Sequence, residues 1–233
     1  LNPIPTFTDD ENSAFPINYI TAWVALMKIA RLQSKDTVLI HAAAGGVGTA
    51  AVQIAKKLGC TVIGTASSDK KIELLNELGI DIAINYLYED FERVIKNNTK
   101  DAGVDVVLEV VGGEIFKKSM QILKPFGRTV VAGFASLNLK KLNPYSWYKT
   151  WKDIPRAKIS ELAEGSTGLL ATHLGYLLNN GSLLQNIWDE LVEFMVDNNI
   201  SPIIGHRFDF SDIGKAHELM ESRKSYGKII ISL

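Results

Sequence analysis

The chain has 233 residues, is 46% hydrophobic, and carries 25 basic against 26 acidic residues for a formal net charge of -1. That is apolar material for a large core, and by length one domain or one and a half. No basic excess exists to neutralise nucleic-acid phosphates, the single cysteine, Cys60, leaves no disulfide within the chain and fits a reducing, cytoplasmic setting, and no apolar run reaches the roughly 20 residues of a membrane-spanning helix.

The chain opens on Leu1 rather than methionine, which fits a processed product or a fragment, and it shows no signal peptide. Residues 1 to 13 are polar with two prolines and read as irregular. In "FPINYITAWVALMKIARL" the apolar residues Ile20, Trp23, Val24, Met27 and Ala30 recur at helical spacing, and Pro16 suits a first helical position. A buried helix is expected from about Pro16 to Leu32. "TVLIHA" is a short branched run, hence a buried strand. Then follow "GVGTAAVQIAKKLG" as helix, "CTVIGTA" as strand, "SSDKKIELLNELG" as a helix with a Ser/Asp start and a glycine stop, and "DIAINY" as strand. "YEDFERVIKNNT", "GVDVVLEVV", "GEIFKKSMQILKP" and "GRTVVAGF" continue the alternation as helix, strand, helix, strand.

Such alternation predicts an α/β fold, a doubly wound parallel sheet covered by helices on both faces. The rhythm breaks after Phe134. Tyr145, Trp147, Tyr148 and Trp151 cluster in the next stretch and suit a lid, a dimer contact or plain core. "GLLATHLGYLL" reads as strand into turn or helix. "SLLQNIWDELVEFMVDNN" is amphipathic, with Leu184, Ile187, Trp188, Leu191 and Met195 on one face. "ISPIIGHRFDFS" is extended, "DIGKAHELMESRK" helical, and "GKIIISL" a last strand.

The loop "HAAAGGVG" follows a strand and opens a helix, the context of a dinucleotide-binding fingerprint. Ala43 stands where the first fingerprint glycine would be, tolerable if its φ stays negative. Gly45 lets a pyrophosphate approach the backbone, Gly48 lets the helix lie close on the sheet, and the helix N-terminus offers free N–H groups to phosphates. The other reading is a tight strand-helix turn that binds nothing. An NAD site places an acid at the end of the second strand. Here Gly64, Thr65 and Ala66 stand there, followed by Ser67, Ser68, Lys70 and Lys71, which suit the 2′-phosphate of NADPH. The same residues also make an ordinary helix cap with a solvated first turn, and Asp69 lies close by.

"FPINYITAWVAL", "VLIHAAAGGVG", "GTASSDKK", "INY" and "YGKIIISL" resemble the medium-chain dehydrogenase/reductase superfamily, in its zinc-independent quinone oxidoreductase and enoyl reductase branch. The stretch from Trp147 through "HLGYLL" to "ISPIIG" is similar to its vesicle-amine-transport-protein-like members. The resemblance implies a Rossmann domain at residues 13–199, with 1–12 and 200–233 as remnants of an otherwise missing GroES-like second domain. It implies NADPH as cofactor, with Thr21 near the nicotinamide, Gly45, Gly46 and Val47 on the pyrophosphate, and Ser67 and Lys71 on the 2′-phosphate. Tyr86 would sit against the adenosine end, and Val110, Gly133 and Phe134 would border the nicotinamide half. Lys228 would match a basic position that contacts the cofactor phosphates. Asn18 and Tyr19 would face the substrate, and relatives form homodimers through a sheet edge. Tyr86 also reads as a strand-end aromatic and Lys228 as a solvated edge lysine.

Zinc-dependent relatives take a cysteine from just before the first long helix, where this chain has Pro16, Ile17 and Asn18. His41, His173, His206 and His217 are scattered, so no metal site is expected. His41 reads as a packed, hydrogen-bonded residue and Cys60 as a small core residue. No Ser-His-Asp arrangement is legible and no catalytic acid is identifiable. The expected function is an NADPH-dependent oxidoreductase passing hydride to a quinone or an α,β-unsaturated alkene. The alternatives are an enoyl reductase module of a polyketide or fatty-acid synthase, and a non-catalytic NADPH-binding module.

Overall fold

The computed structural model describes residues 2–133, 148 and 154–233. Helix α1 (Asp9–Trp23) starts seven residues before the expected Pro16. Its start is a capping box at "TDDE": the Glu11 N–H donates to the Thr8 hydroxyl at 3.3 Å, and the Glu11 carboxylate accepts from the Thr8 N–H at 2.8 Å. Pro16 therefore lies inside the helix, and the boundary expected between residues 12 and 13 falls within its first turn. The helix widens into a π-helical stretch (Val24–Ile29), and the chain reverses at Arg31, whose φ is 52°. Arg128 satisfies the carbonyls left at that end: it donates to Ala30 O at 2.5 Å and Arg31 O at 3.0 Å, and pairs with Asp36 at 3.1 Å.

Four βα steps and a fifth strand follow as expected: β1 (Thr37–Ile40), α2 (Gly46–Leu58), β2 (Thr61–Ala66), α3 (Asp69–Glu77), β3 (Ile82–Asn85), α4 (Phe91–Thr99), β4 (Val104–Glu109), α5 (Gly113–Gln121) and β5 (Leu123–Val131). Strand β5 begins four residues before the expected Gly127, because Leu123 pairs with Val104 before a register shift brings Arg128 opposite Val106. Then come α6 (Ile159–Gly165), β6 (Gly168–Ala171), a single turn α7 (Leu174–Leu177) and α8 (Gly181–Asp197). Six strands form one sheet, order β3-β2-β1-β4-β5-β6, every neighbouring pair parallel. This is a Rossmann-type α/β sheet. Its centre is dry: Val38, Leu39, Ile40, Val106, Val107 and Leu108 are fully buried, as a sheet covered on both faces requires.

Helix α8 packs across α1 through Trp188 of its expected apolar face and through Phe194 outside it. Trp188 meets Phe15 at 5.0 Å between ring centroids, and Phe194 meets Trp23 at 5.1 Å. The last elements, β7 (Ile204–Asp209), α9 (Ile213–Glu221) and β8 (Lys228–Ser232), make a separate two-stranded parallel sheet with a helix. That unit returns to the glycine loop, where the Gly227 N–H donates to Ala44 O at 2.8 Å. Phe134, Tyr145, Trp147 and Trp151 lie outside the described residues, and Tyr148 is exposed. Among the described residues no helix is long and apolar enough to cross a membrane.

Candidate functional site

The strand order reverses between β1 and β4, the place where open α/β sheets leave a crevice at their carboxyl ends. A cleft of about 350 Å³ lies there. Its floor is His41, Ala42, Ala44 and Gly45. Two positions fix the shape of the loop. Ala42 takes the left-handed conformation, φ 49°, whereas Ala43 does not, so the missing first glycine costs nothing at Ala43. Gly48 is indispensable, since a Cβ there would sit 2.3 Å from Ala42 O and 2.6 Å from Ala43 Cα. Helix α2 thus lies hard against the loop. Its N-cap is Gly45, with no side-chain cap, which leaves the first-turn N–H groups for a ligand.

One wall is the end of β2, Thr65 to Ser67, with Lys71 and Tyr86 beyond it; Phe91, Val111 and Ile115 make the other, apolar wall. The roof is Met220, Arg223 and Ser225, from α9 and the turn after it. Among the described residues no carboxylate lines the cleft. Asp69 is held away from it, accepting from the Asn85 amide at 2.9 Å, and Lys70 lies over the Tyr226 ring at 4.9 Å. The Lys71 ammonium donates to the Arg223 carbonyl, and burial pushes its pKa below the ordinary lysine value. His206 packs on Tyr226 with a centroid distance of 4.8 Å, and its Nε2 is buried without a hydrogen-bond partner among the described residues. Burial first, then the charges of Lys70 and Lys71, hold that imidazole below its usual pKa.

Beneath the floor runs a buried polar network. His41 is 2% exposed, with Nδ1 3.1 Å from Thr65 Oγ1 and Nε2 2.8 Å from Ser119 Oγ. Burial drives its pKa to about 3. Glu109, fully buried, accepts from the Val111 N–H at 2.5 Å and the Gly112 N–H at 2.9 Å. Burial pushes its carboxyl up, against the pull of those N–H groups.

Of the residues singled out from the sequence, Gly45, Ser67, Lys71 and Tyr86 meet in the cleft. Gly46 and Val47 open α2 beside it, and the Asn18 amide rests so close on Gly46 that a Cβ would lie 2.5 Å from its Nδ2. Thr21 donates to Ile17 O at 2.6 Å within α1. Val110 and Gly133 adjoin one another at the ends of β4 and β5, a Cβ on Gly133 falling 3.8 Å from the Val110 Cβ, and neither lines this cleft. Lys228 opens β8 without lining it. Tyr19, expected to face the substrate, packs inward among the described residues. It is 1% exposed, packed at a tilt on Phe15, and its hydroxyl donates to Gln53 and lies 3.3 Å from Ser201 O; burial raises its pKa. Met220, Arg223 and Ser225 were not anticipated, although "ESRKSYGK" is a conspicuous basic turn. Cys60 is a core residue, its thiol donating to Gln33 O at 3.3 Å, and burial raises its pKa to about 11. Among the described residues no three His, Cys, Asp or Glu side chains gather as metal ligands do.

A family model described as zinc-binding dehydrogenase matches residues 46–159. The synaptic vesicle membrane protein VAT-1 homolog of Homo sapiens is 34% identical over 226 residues, 96% of this chain and 57% of that protein. A phenolphthiocerol/phthiocerol polyketide synthase of Mycobacterium tuberculosis is 34% identical over 232 residues, 99% of this chain and 10% of the synthase. This chain thus spans about half the length of the vesicle-protein relatives it matches. Among solved structures, the CurK enoyl reductase superposes with a TM-score of 0.82 at 29% identity, covering 100% of this chain and 65% of that one. The quinone oxidoreductase of Thermus thermophilus, solved also as its NADPH complex, superposes with a TM-score of 0.78 at 28% identity, covering 100% and 69%.

Proposed function

This chain belongs to the medium-chain dehydrogenase/reductase superfamily, in its quinone oxidoreductase and enoyl reductase branch, and on that premise we propose that it binds NADPH and serves hydride transfer to a quinone or an activated alkene. The observation that carries the reading is the cleft itself: an uncapped helix N-terminus at one side, Ser67 and Lys71 at the other, and no carboxylate among the described residues that line it.

That donor set fits the cofactor. The first-turn N–H groups at Gly46 and Val47, with Gly45 giving close access, would bind the pyrophosphate. Ser67 and Lys71 would bind the 2′-phosphate, joined by Arg223 and Ser225 from the roof. Tyr86 would lie against the adenosine end, and Phe91, Val111 and Ile115 supply an apolar wall for it. Thr21, Asn18, Val110 and Gly133 are proposed for the nicotinamide half, and Lys228 for a supporting charge. Bound there, the cofactor would supply the hydride. The chain's own work is to orient it, to neutralise its phosphates, and to exclude water from the apolar wall. A proton from solvent or a cleft side chain would complete the reduction. No residue of this scheme is a metal ligand. We assign residues 200–233 to the edge of a second, GroES-like domain, and expect a homodimer.

The reading is tested by following absorbance loss at the reduced-nicotinamide band with NADPH and with NADH, against quinones and enones. Turnover with NADPH and little with NADH is expected. Equal use of NADH would overturn the cofactor assignment. A second reading, an enoyl reductase module of a polyketide synthase, is favoured by the synthase relative that spans 99% of this chain. Preference for an acyl-carrier-bound enoyl substrate over free quinone would select it.

A further inference from the structure

We infer that His41 is a positioning residue for the adenosine half of the cofactor: from beneath the glycine loop it ties the two walls of the cleft together and sets their separation. This rests on the nucleotide reading and deepens it.

His41 reaches four elements, three of them through its ring. Its backbone N–H, just past β1, donates to Leu108 O of β4 at 3.2 Å. Its Nδ1 meets Thr65 at the end of β2, and its Nε2 meets Ser119 of α5. Its edge meets Phe91, at the start of α4, with centroids 5.0 Å apart. Thr65 stands on one wall. Ser119 lies one helical turn beyond Ile115 of the other wall and is bonded to its carbonyl at 2.8 Å. Val111 on that same wall is fixed through its N–H to Glu109. The Thr65 carbonyl also accepts from the Ala43 N–H at 2.9 Å, so the glycine loop hangs from the same residue.

The hydrogen-bond partners point to one tautomer. Ser119 has one hydroxyl proton, and its shortest acceptor besides His41 is Ile115 O. Nε2–H therefore donates to Ser119, and Nδ1 accepts from the Thr65 hydroxyl. Both nitrogens are used, and each bond points to a different wall. An apolar side chain of the same bulk would fill the space and hold neither wall.

The test is calorimetric titration of the parent chain, His41→Leu, His41→Gln and Ser119→Ala with 2′,5′-ADP and with 5′-ADP, each fold checked by circular dichroism. His41→Leu is expected to weaken both ligands by the same factor, about tenfold, as for loss of two modest hydrogen bonds. His41→Gln keeps a donor toward Ser119 and recovers part of the loss, and Ser119→Ala falls between. A folded His41→Leu that binds within about twofold of the parent overturns the inference, and so does a loss confined to 2′,5′-ADP. Where His41→Leu does not fold, Ser119→Ala decides, and parent-like binding by it overturns the inference. A parent that binds neither ligand sinks the nucleotide reading and this inference with it. Parent binding with unaltered variants sinks this inference alone.

Discussion

The Lys71 ammonium donates to the Arg223 carbonyl oxygen at 2.7 Å, joining residues 152 apart in sequence. The first turn of α3 is thereby tied to the roof of the cleft, and the cation is held where we propose the 2′-phosphate. Lys71→Ala should lower affinity for NADPH about ten- to a hundredfold, the scale of one charge-assisted bond, and leave NADH almost unchanged. Parallel fluorescence titrations check this, and equal losses for both cofactors would count against the assignment.

Gly48→Ala should destabilise the fold as well as binding. Its Cβ would fall 2.3 Å from Ala42 O, and backbone must move to relieve that. A loss of about 1–3 kcal/mol is expected, as for overpacking in a tight interior. Gly45→Ala places its Cβ 3.2 Å from the same oxygen, so it should retain most stability and lose NADPH binding. Urea melts beside cofactor titrations separate the two.

His41 makes a signed prediction about pH. Its folded pKa is about 3 against an ordinary value of 6.5, because burial disfavours the cation. The unfolded chain takes up the proton first on acidification. The contribution of the neutral ring is therefore complete above 6.5 and falls as pH drops toward 3, by at most about 1.4 kcal/mol per pH unit. Glu109 acts in the opposite sense just above 4.5, since its carboxyl is raised. His41→Gln removes the histidine component, from a ring whose Nε2 lies 3.9 Å from Glu109 Oε2. The stability of the parent relative to this variant should fall between pH 6.5 and about 4. A difference that stays constant across urea melts in that range would refute it.

Arg128 should not tolerate lysine. Its guanidinium serves Ala30 O, Arg31 O and Asp36 at once, a fork that an ammonium cannot reproduce. Arg128→Lys should cost about 1–3 kcal/mol through the carbonyls left without a partner, read as a lower urea midpoint with NADPH affinity per folded molecule retained.

Much of the sheet was legible because its punctuation is local. Gly59 at φ 86° and Gly79 at φ 74° stop α2 and α3 where the sequence placed stops, and unbroken branched runs mark strands buried on both faces. The start of α1 was misplaced since Pro16 is a stronger visible signal than the Thr8–Glu11 capping box, although both are written in the sequence. Strand β5 was shortened because Pro125 and Gly127 mask an early pairing at Leu123 that only a register shift allows. The glycine loop, Ser67 and Lys71 were readable from strand-turn-helix context. Arg223 and Ser225 were not, because they reach the cleft only through tertiary docking of the last unit. The surroundings of Tyr19 were not legible for a related reason: Gln53 and Ser201, which claim its hydroxyl, lie far along the chain.

The bond from the Gly227 N–H to Ala44 O also has a meaning in time. Synthesis runs from the amino terminus at about 5–20 residues per second, so the six-stranded sheet emerges before its roof exists. A nucleotide meeting that nascent sheet finds the floor and both walls but no Arg223 or Ser225. The part of ligand stabilisation that we propose for Arg223 and Ser225 therefore arrives only after the last helix has folded back. The sheet must form on the strength of its own core, and the proposed roof contacts add to binding only in chains whose final segment has docked.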